Sequence, residues 1–278
     1  MTGLFIPESL TPLAYTPLYR HLGEEHRISY NRLHGQYFLE QTIFFEQVMG
    51  RPVLETLERI APEEELRLEI RRFLAEENTH TGWFRSLLRE VRPPTSDDRD
   101  FALLAAPSWG RSMMRLATRS VRRVPALLWL QLIAEERAVY FGREFLAVRE
   151  QLDPRFLEVQ QRHLADEIGH VRSDERLLHW LWPSTAPWLR RANAGLLEWS
   201  LREFFHLPKR SGWRVVDVWI RQHPELERHR GAIRREWHGL AGDAAYCATL
   251  YPKRHLTRTL ALAGDWPELS FLGRFFTD

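Results

Sequence analysis

Residues 163 to 170 read His-Leu-Ala-Asp-Glu-Ile-Gly-His, and no other stretch restricts the possible folds as much. On an α-helix, side chains three and four positions apart share a face. His163, Glu167 and His170 therefore project the same way, and three metal-ligating groups aimed at one spot call for more ligands from other elements. A Glu-x-x-His pair on each of two helices, joined by one Glu from each of two others, is how a four-helix bundle builds a site for two iron or manganese ions. That plan requires a second copy of the pair, and one stands at Glu77-Asn78-Thr79-His80.

With 12 histidines and roughly one residue in ten a glutamate, about one such pair is expected by chance. The chain has a third, Glu203-x-x-His206, so the partner Glu on the preceding helix must discriminate. Glu46 lies 31 residues before Glu77, and Glu136 lies 31 before Glu167; the position 31 before Glu203 is Arg172. Glu203 and His206 are thus the chance pair. Two antiparallel helices bring level those residues that are equidistant from the turn between them. The midpoint of the first hairpin falls at Ala61-Pro62, ahead of the acidic Glu63 to Glu65. That of the second falls at Leu152, beside Asp153-Pro154. Both are helix starts, with Pro early and acids or an Asp cap at the positive end of the dipole. Glu40 and Glu135 are rival ligands. Glu135 points about 100° away from Glu136 and is set aside, whereas Glu40 is kept as the alternative first ligand because Gly50-Arg51-Pro52 must distort its helix and can shift the register.

Composition bounds the rest. A chain of 278 residues with 44% hydrophobic content can bury a sizeable core. Its 39 basic and 37 acidic residues are interspersed, which argues against a nucleic-acid arm or a polybasic membrane anchor. A single cysteine, Cys247, rules out an internal disulfide and a cysteine-ligated cluster. A reducing cytoplasm is the expected compartment, since residues 1 to 10 show no export signal and no stretch approaches 18 uncharged apolar residues.

The expected organisation is all-α. A Pro-punctuated arm precedes residue 25. Core helices are expected over about 26 to 49, 63 to 90, 125 to 151 and 155 to 181, with one or two short connecting helices over 101 to 124 and Pro93 to Asp98 closing the second core helix. Further helices are expected at about 187 to 206, 213 to 222 and 224 to 240. The chain is read as one domain over 1 to 278, with its core bundle at 26 to 183 and accessory helices from 184. The two hairpins repeat with an offset of 90 residues (Glu46 and Glu136, Glu77 and Glu167, His80 and His170). Four carboxylates converging in a bundle would be prohibitively costly unless protonated, paired or neutralised by metal. Arg137 and Arg172 are the cations that would serve a purely structural charge network.

Glu, Glu-x-x-His, Glu, Glu-x-x-His is shared by ferritin-like di-iron proteins. The fuller His-x-x-x-Glu-x-x-His on the last core helix resembles the di-iron oxygenases related to p-aminobenzoate N-oxygenase, in which the upstream histidine is an additional iron ligand. That resemblance implies a ferritin-like bundle with added C-terminal helices and the ligand set Glu46, Glu77, His80, Glu136, His163, Glu167 and His170. It spans the core, about 26 to 183.

Carboxylates suit iron, with manganese admissible at one or both positions, whereas zinc would favour Cys and His. Two ferrous ions there would bind O2 between them as a peroxo species. Asp174 and Asp166 are candidates to hydrogen-bond a ligating imidazole. The expected activity is O2-dependent oxygenation of a small aromatic or amine-bearing metabolite, with Tyr37, Phe44, Trp83, Phe84, Tyr140 and Phe141 as candidate pocket walls. The alternative is a generic di-iron oxidase, or a metal-handling or radical-storing protein. Phe84 stands where a reductase-type radical protein carries tyrosine, which counts against the last. No G-x-G-x-x-G loop is present, so electrons must come from a separate donor protein or from substrate. Neither nucleic acid nor membrane is an expected partner, and a homodimer is compatible with the reading.

Overall fold

The computed structural model describes residues 3–92, 101–105, 112, 114, 116–205, 207 and 209–277. Helix α1 (Glu24–Ile43) passes through a wide turn of π-type, Phe44–Gly50, into α2 (Arg51–Ile60). The cause of the wide turn is Pro52, whose ring lacks an N–H and clashes with the carbonyl four residues back. The chain widens instead of breaking, and the Arg51 N–H reaches the carbonyl of Glu46, five residues back. After a short connector at residues 61 to 63 the chain returns as α3 (Glu64–Val91).

The second hairpin is α4 (Ala126–Ala147) and α5 (Pro154–Leu181). Its connector is longer, residues 148 to 153, and holds a 3₁₀ turn at Arg149–Gln151. Asp153 caps α5 by accepting a hydrogen bond from the Arg155 N–H at 3.0 Å, with Pro154 at the first helical position. The two helices pack closely at Gly142, where an added Cβ would lie 2.9 Å from a Leu164 methyl carbon. Accessory helices follow: α6 (Pro187–Ser200), α7 (Lys209–Gln222), α8 (Arg230–Gly239), α9 (Ala244–Leu250) and α10 (Thr257–Ala263). Among the described residues there are only two isolated β-bridges and no strand, so the all-α expectation holds.

The accessory helices complete the core. One buried apolar cluster runs from Leu13 to Phe276 and takes in Trp129 and Trp182 of the bundle with Trp219 and Trp237 of α7 and α8. Each buried indole removes about 200 Å² from water, so losing these contacts would expose a large part of the bundle's outer face. The N-terminal arm is pinned by buried Asn31, which accepts from the Phe5 N–H at 2.8 Å and donates to the Ile6 carbonyl at 2.7 Å. Phe5 stacks on Phe156 at 4.3 Å.

Part of the expected connection between the hairpins lies outside the described residues, namely residues 93 to 100, 106 to 111, 113 and 115, with Arg111 and Arg115 among them. His206 of the third Glu-x-x-His pair does too, and Glu203 is exposed.

Candidate metal centre

The two Glu-x-x-His helices, α3 and α5, face each other in the middle of the bundle. Glu77, His80, Glu167 and His170 present donor atoms within 4.8 Å of one another, and Glu46, His80 and His163 form a second, overlapping group. All six side chains are buried. His170 Nδ1 lies 3.1 Å from Glu77 Oε1 and 3.5 Å from Glu167 Oε1. His80 Nδ1 lies 3.8 Å from a carboxylate oxygen of each. His163 Nε2 lies 2.7 Å from Glu167 Oε1 and 3.4 Å from Glu46 Oε1. Glu46 is aimed inward by the wide turn and held by the Thr81 hydroxyl, which donates to its Oε2 at 2.7 Å.

The closest of these contacts, His163 to Glu167 and His170 to Glu77, are within hydrogen-bond distance, and the inward atoms have no partner outside the cluster. His80 Nδ1, His170 Nδ1, Glu46 Oε1 and both oxygens of Glu167 are buried, and beyond their contacts within the cluster they have no hydrogen-bond partner. Buried polar atoms are nearly always satisfied, so a constellation of orphaned donors at ligand-to-ligand spacing fits shared cations at the centre. The donor set, carboxylate oxygens and imidazole nitrogens with no thiolate, suits iron or manganese.

The outer ring nitrogens show a symmetry that follows the sequence repeat. His80 Nε2 pairs with Asp166 at 3.0 Å, and His170 Nε2 pairs with Glu76 at 3.1 Å. Each histidine is thus oriented by the acid that immediately precedes the other helix's central glutamate, leaving its Nδ1 inward. Glu76 was detectable from the sequence, since it sits 90 residues before Asp166. Asp174, the other candidate for this role, is corrected: it is fully buried but neither oxygen has a hydrogen-bond partner, and Glu76 serves His170 instead. Burial pushes the Asp174 carboxyl well above the usual range, with the Glu77 and Glu167 charges adding to the rise against the opposing charge of His170.

Glu136 also requires correction. Its carboxylate points away from the cluster to the start of α10, where it accepts the backbone N–H groups of Arg258 at 2.8 Å and Thr259 at 2.9 Å. Glu135 takes the inward place, lining the same crevice as Glu46, Glu77 and His163. Burial, reinforced by the Glu167 charge, pushes its carboxyl well above the usual range. Residue counting failed because the two connectors differ in length, so equal spacing about the turns does not mean equal height. One residue of register turns a side chain by about 100°. Glu40, the alternative first ligand, is buried elsewhere: it takes the Arg92 guanidinium and the backbone N–H groups of Ala102, Leu103 and Leu104.

Electrostatically the centre is a nest of acids faced by histidines. Burial alone would depress the imidazoles, but the Glu167 and Glu46 charges raise His163 to about 10, and Glu167 and Glu77 raise His170 to about 11. Glu46 rises to about 7, because burial and the Glu77 charge outweigh the bonds from His163 and Thr81. Among the described residues no arginine or lysine pairs with Glu46, Glu77 or Glu167. Arg137 stacks on Phe141 and Tyr251, at 4.5 and 5.0 Å from the ring centroids, and Arg172 is exposed. A structural charge network built on those two cations is therefore not what the centre contains.

A crevice of about 80 Å³ opens over the cluster between the wide turn and α4, walled by Phe38, Phe45, Met49, Arg137 and Phe141. Of the aromatic residues expected as walls, Phe141 is in place. Phe84 and Trp83 instead pack on imidazoles of the cluster, at 4.9 Å from His163 and 5.3 Å from His80. Tyr140 stacks on His255, Phe44 meets Phe101, and Tyr37 lies in the apolar core.

A family model described as p-aminobenzoate N-oxygenase AurF matches residues 2–239. The chain belongs to the AurF family. The match takes in the N-terminal arm and the accessory helices through α8, well beyond the 26 to 183 span on which the sequence resemblance rested. A search of curated proteins finds no match. No helix among the described residues is long and apolar enough to cross a membrane.

Proposed function

We propose that this chain is an O2-dependent di-iron oxygenase whose metals are held by Glu46, Glu77, His80, Glu135, His163, Glu167 and His170. The observation that carries this reading is the pair of overlapping buried donor groups whose inward atoms have no other partner. Two iron ions there would supply the electrons that activate O2. The protein's own work is to hold the ligands rigid through Asp166, Glu76 and Thr81 and to keep bulk water out with Phe38, Phe45 and Phe141. Three histidines cannot be divided evenly between two ions, so one position is richer in nitrogen.

The substrate is a small aromatic or amine-bearing metabolite, and the family's description as a p-aminobenzoate N-oxygenase supports that class. The crevice is smaller than the roughly 150 Å³ that accommodates a benzene ring, so a substrate of that size requires its walls to move apart. Reducing electrons come from a separate donor protein.

The test is to express the protein in iron-rich medium, count the metal, then mix the anaerobically reduced form rapidly with O2 while following the optical spectrum. Two irons per chain and a transient visible band are expected. Protein that binds less than one iron, or whose reduced form is inert to O2, would overturn the reading. His163→Ala should retain most of its iron yet change the transient spectrum; an unchanged spectrum would remove His163 from the ligand set.

A further inference from the structure

The accessory helices meet the first bundle helix at a second cluster of metal-ligating side chains, remote in sequence from the bundle centre. His26, in the first turns of α1, faces His223 and Glu225, which follow α7 and begin the 3₁₀ turn Pro224–His229. His26 Nε2 lies 2.6 Å and His223 Nδ1 3.5 Å from the same Glu225 oxygen. Donor atoms of the three residues all fall within 4.8 Å of one another. The imidazole rings are 4.8 Å apart and tilted by 58°. We infer that His26, His223 and Glu225 form a binding site for a divalent cation of the zinc type, which clasps the accessory helices to the bundle.

Both histidines are set in place through one residue. Fully buried Trp219 donates its indole N–H to the His26 carbonyl at 3.0 Å, and its own carbonyl accepts the His223 N–H at 3.1 Å. The imidazoles are thus brought together by the fold before any ion arrives. Among the described residues Glu225 pairs with these two histidines and with no arginine or lysine, so its charge is available to a metal. Two imidazoles and one carboxylate, with a solvent-facing fourth position, form the ligand set of open zinc sites. Bonds of about 2.0 to 2.2 Å in tetrahedral array place ligand atoms roughly 3.3 Å apart. The contact at 3.5 Å already fits, and the one at 2.6 Å needs only a small swing of Glu225, whose side chain is 55% exposed.

Iron-loaded protein would be dialysed against increasing Zn2+, with zinc and iron counted in the same samples. One zinc per chain is expected above an unchanged iron content, with at least a 30-fold loss of affinity in His223→Gln and in Glu225→Gln. Glu225→Gln alters an exposed side chain far from the bundle centre, so its fold and its reaction with O2 should match those of the parent. Co2+ in place of Zn2+ should give visible absorption bands that both variants lack. Zinc should also raise the unfolding temperature of the parent and leave that of the variants unmoved. Zinc uptake balanced by iron loss, uptake of equal strength in parent and variants, or no extra zinc in the parent would each overturn the assignment.

Discussion

A rotation of about 100° separates Glu135 from Glu136 on their helix, and it gives the two carboxylates unrelated tasks. Glu135 lines the crevice over the bundle centre, while Glu136 holds two backbone N–H groups at the start of α10. Glu135→Gln should cut bound iron by at least half, because an amide is a poor substitute for a bridging or terminal carboxylate. Glu136→Gln should leave iron content intact and cost about 1 to 2 kcal/mol of stability through its weakened bonds to Arg258 and Thr259. Metal analysis with urea denaturation of both variants checks this, and an iron-free Glu136→Gln would reverse the roles. Glu40 belongs with Glu136: its charge is spent on Arg92 and three backbone N–H groups, so Glu40→Ala should keep its metal while losing about 3 to 5 kcal/mol, the cost of breaking a buried pair.

At the scale of the element, the wide turn after α1 and the start of α5 fix where the side chains of the centre point. Asp153 stops α5 from fraying at its first turn, accepting from both the backbone and the guanidinium of Arg155. That bond to Arg155 holds its carboxyl below the usual range. A group whose pKa is lower when folded stabilises the protein above its unfolded pKa, near 3.9 for Asp, and the contribution is lost as pH falls through the folded value. Asp153→Ala should therefore cost about 1 kcal/mol at pH 7, and the gap between parent and variant should shrink steadily below about pH 4. Urea melts at both pH values test it; a gap that stays constant down to pH 2.5 would show that the cap acts through something other than its charge.

Across the whole molecule, the centre concentrates negative charge that a cation must offset. Without metal the same acids take up protons or lean on protonated His163 and His170, an inferior arrangement that leaves several buried atoms unpartnered. Bound metal stabilises by mass action, about 4 kcal/mol when the free ion exceeds its dissociation constant a thousandfold. In a chain of this size each kcal/mol moves the melting temperature by about 2 to 4 °C. Stripping bound metal with a chelator should lower it by about 8 to 16 °C, as calorimetry would show. An unchanged melting temperature would mean that the bundle is held without its metals.

Most of the candidate centre was legible in the sequence because helical periodicity is local: Glu77 with His80, and His163 with Glu167 and His170, share faces whatever surrounds them. The 90-residue repeat paired the two hairpins, and Pro52 announced the distortion that sets Glu46 inward and leaves Glu40 to another role. What the sequence could not decide was relative height between helices, which depends on the shape of each connector. A 3₁₀ turn at Arg149–Gln151 shifted the choice from Glu136 to Glu135, and the packing of α3 on α5 gave His170 to Glu76 rather than Asp174, a partner that the 90-residue repeat also marks through Asp166. The meeting of His26 with His223 and Glu225 is wholly tertiary, since nearly 200 residues separate them and only the packing of α7 against α1 around Trp219 brings them together.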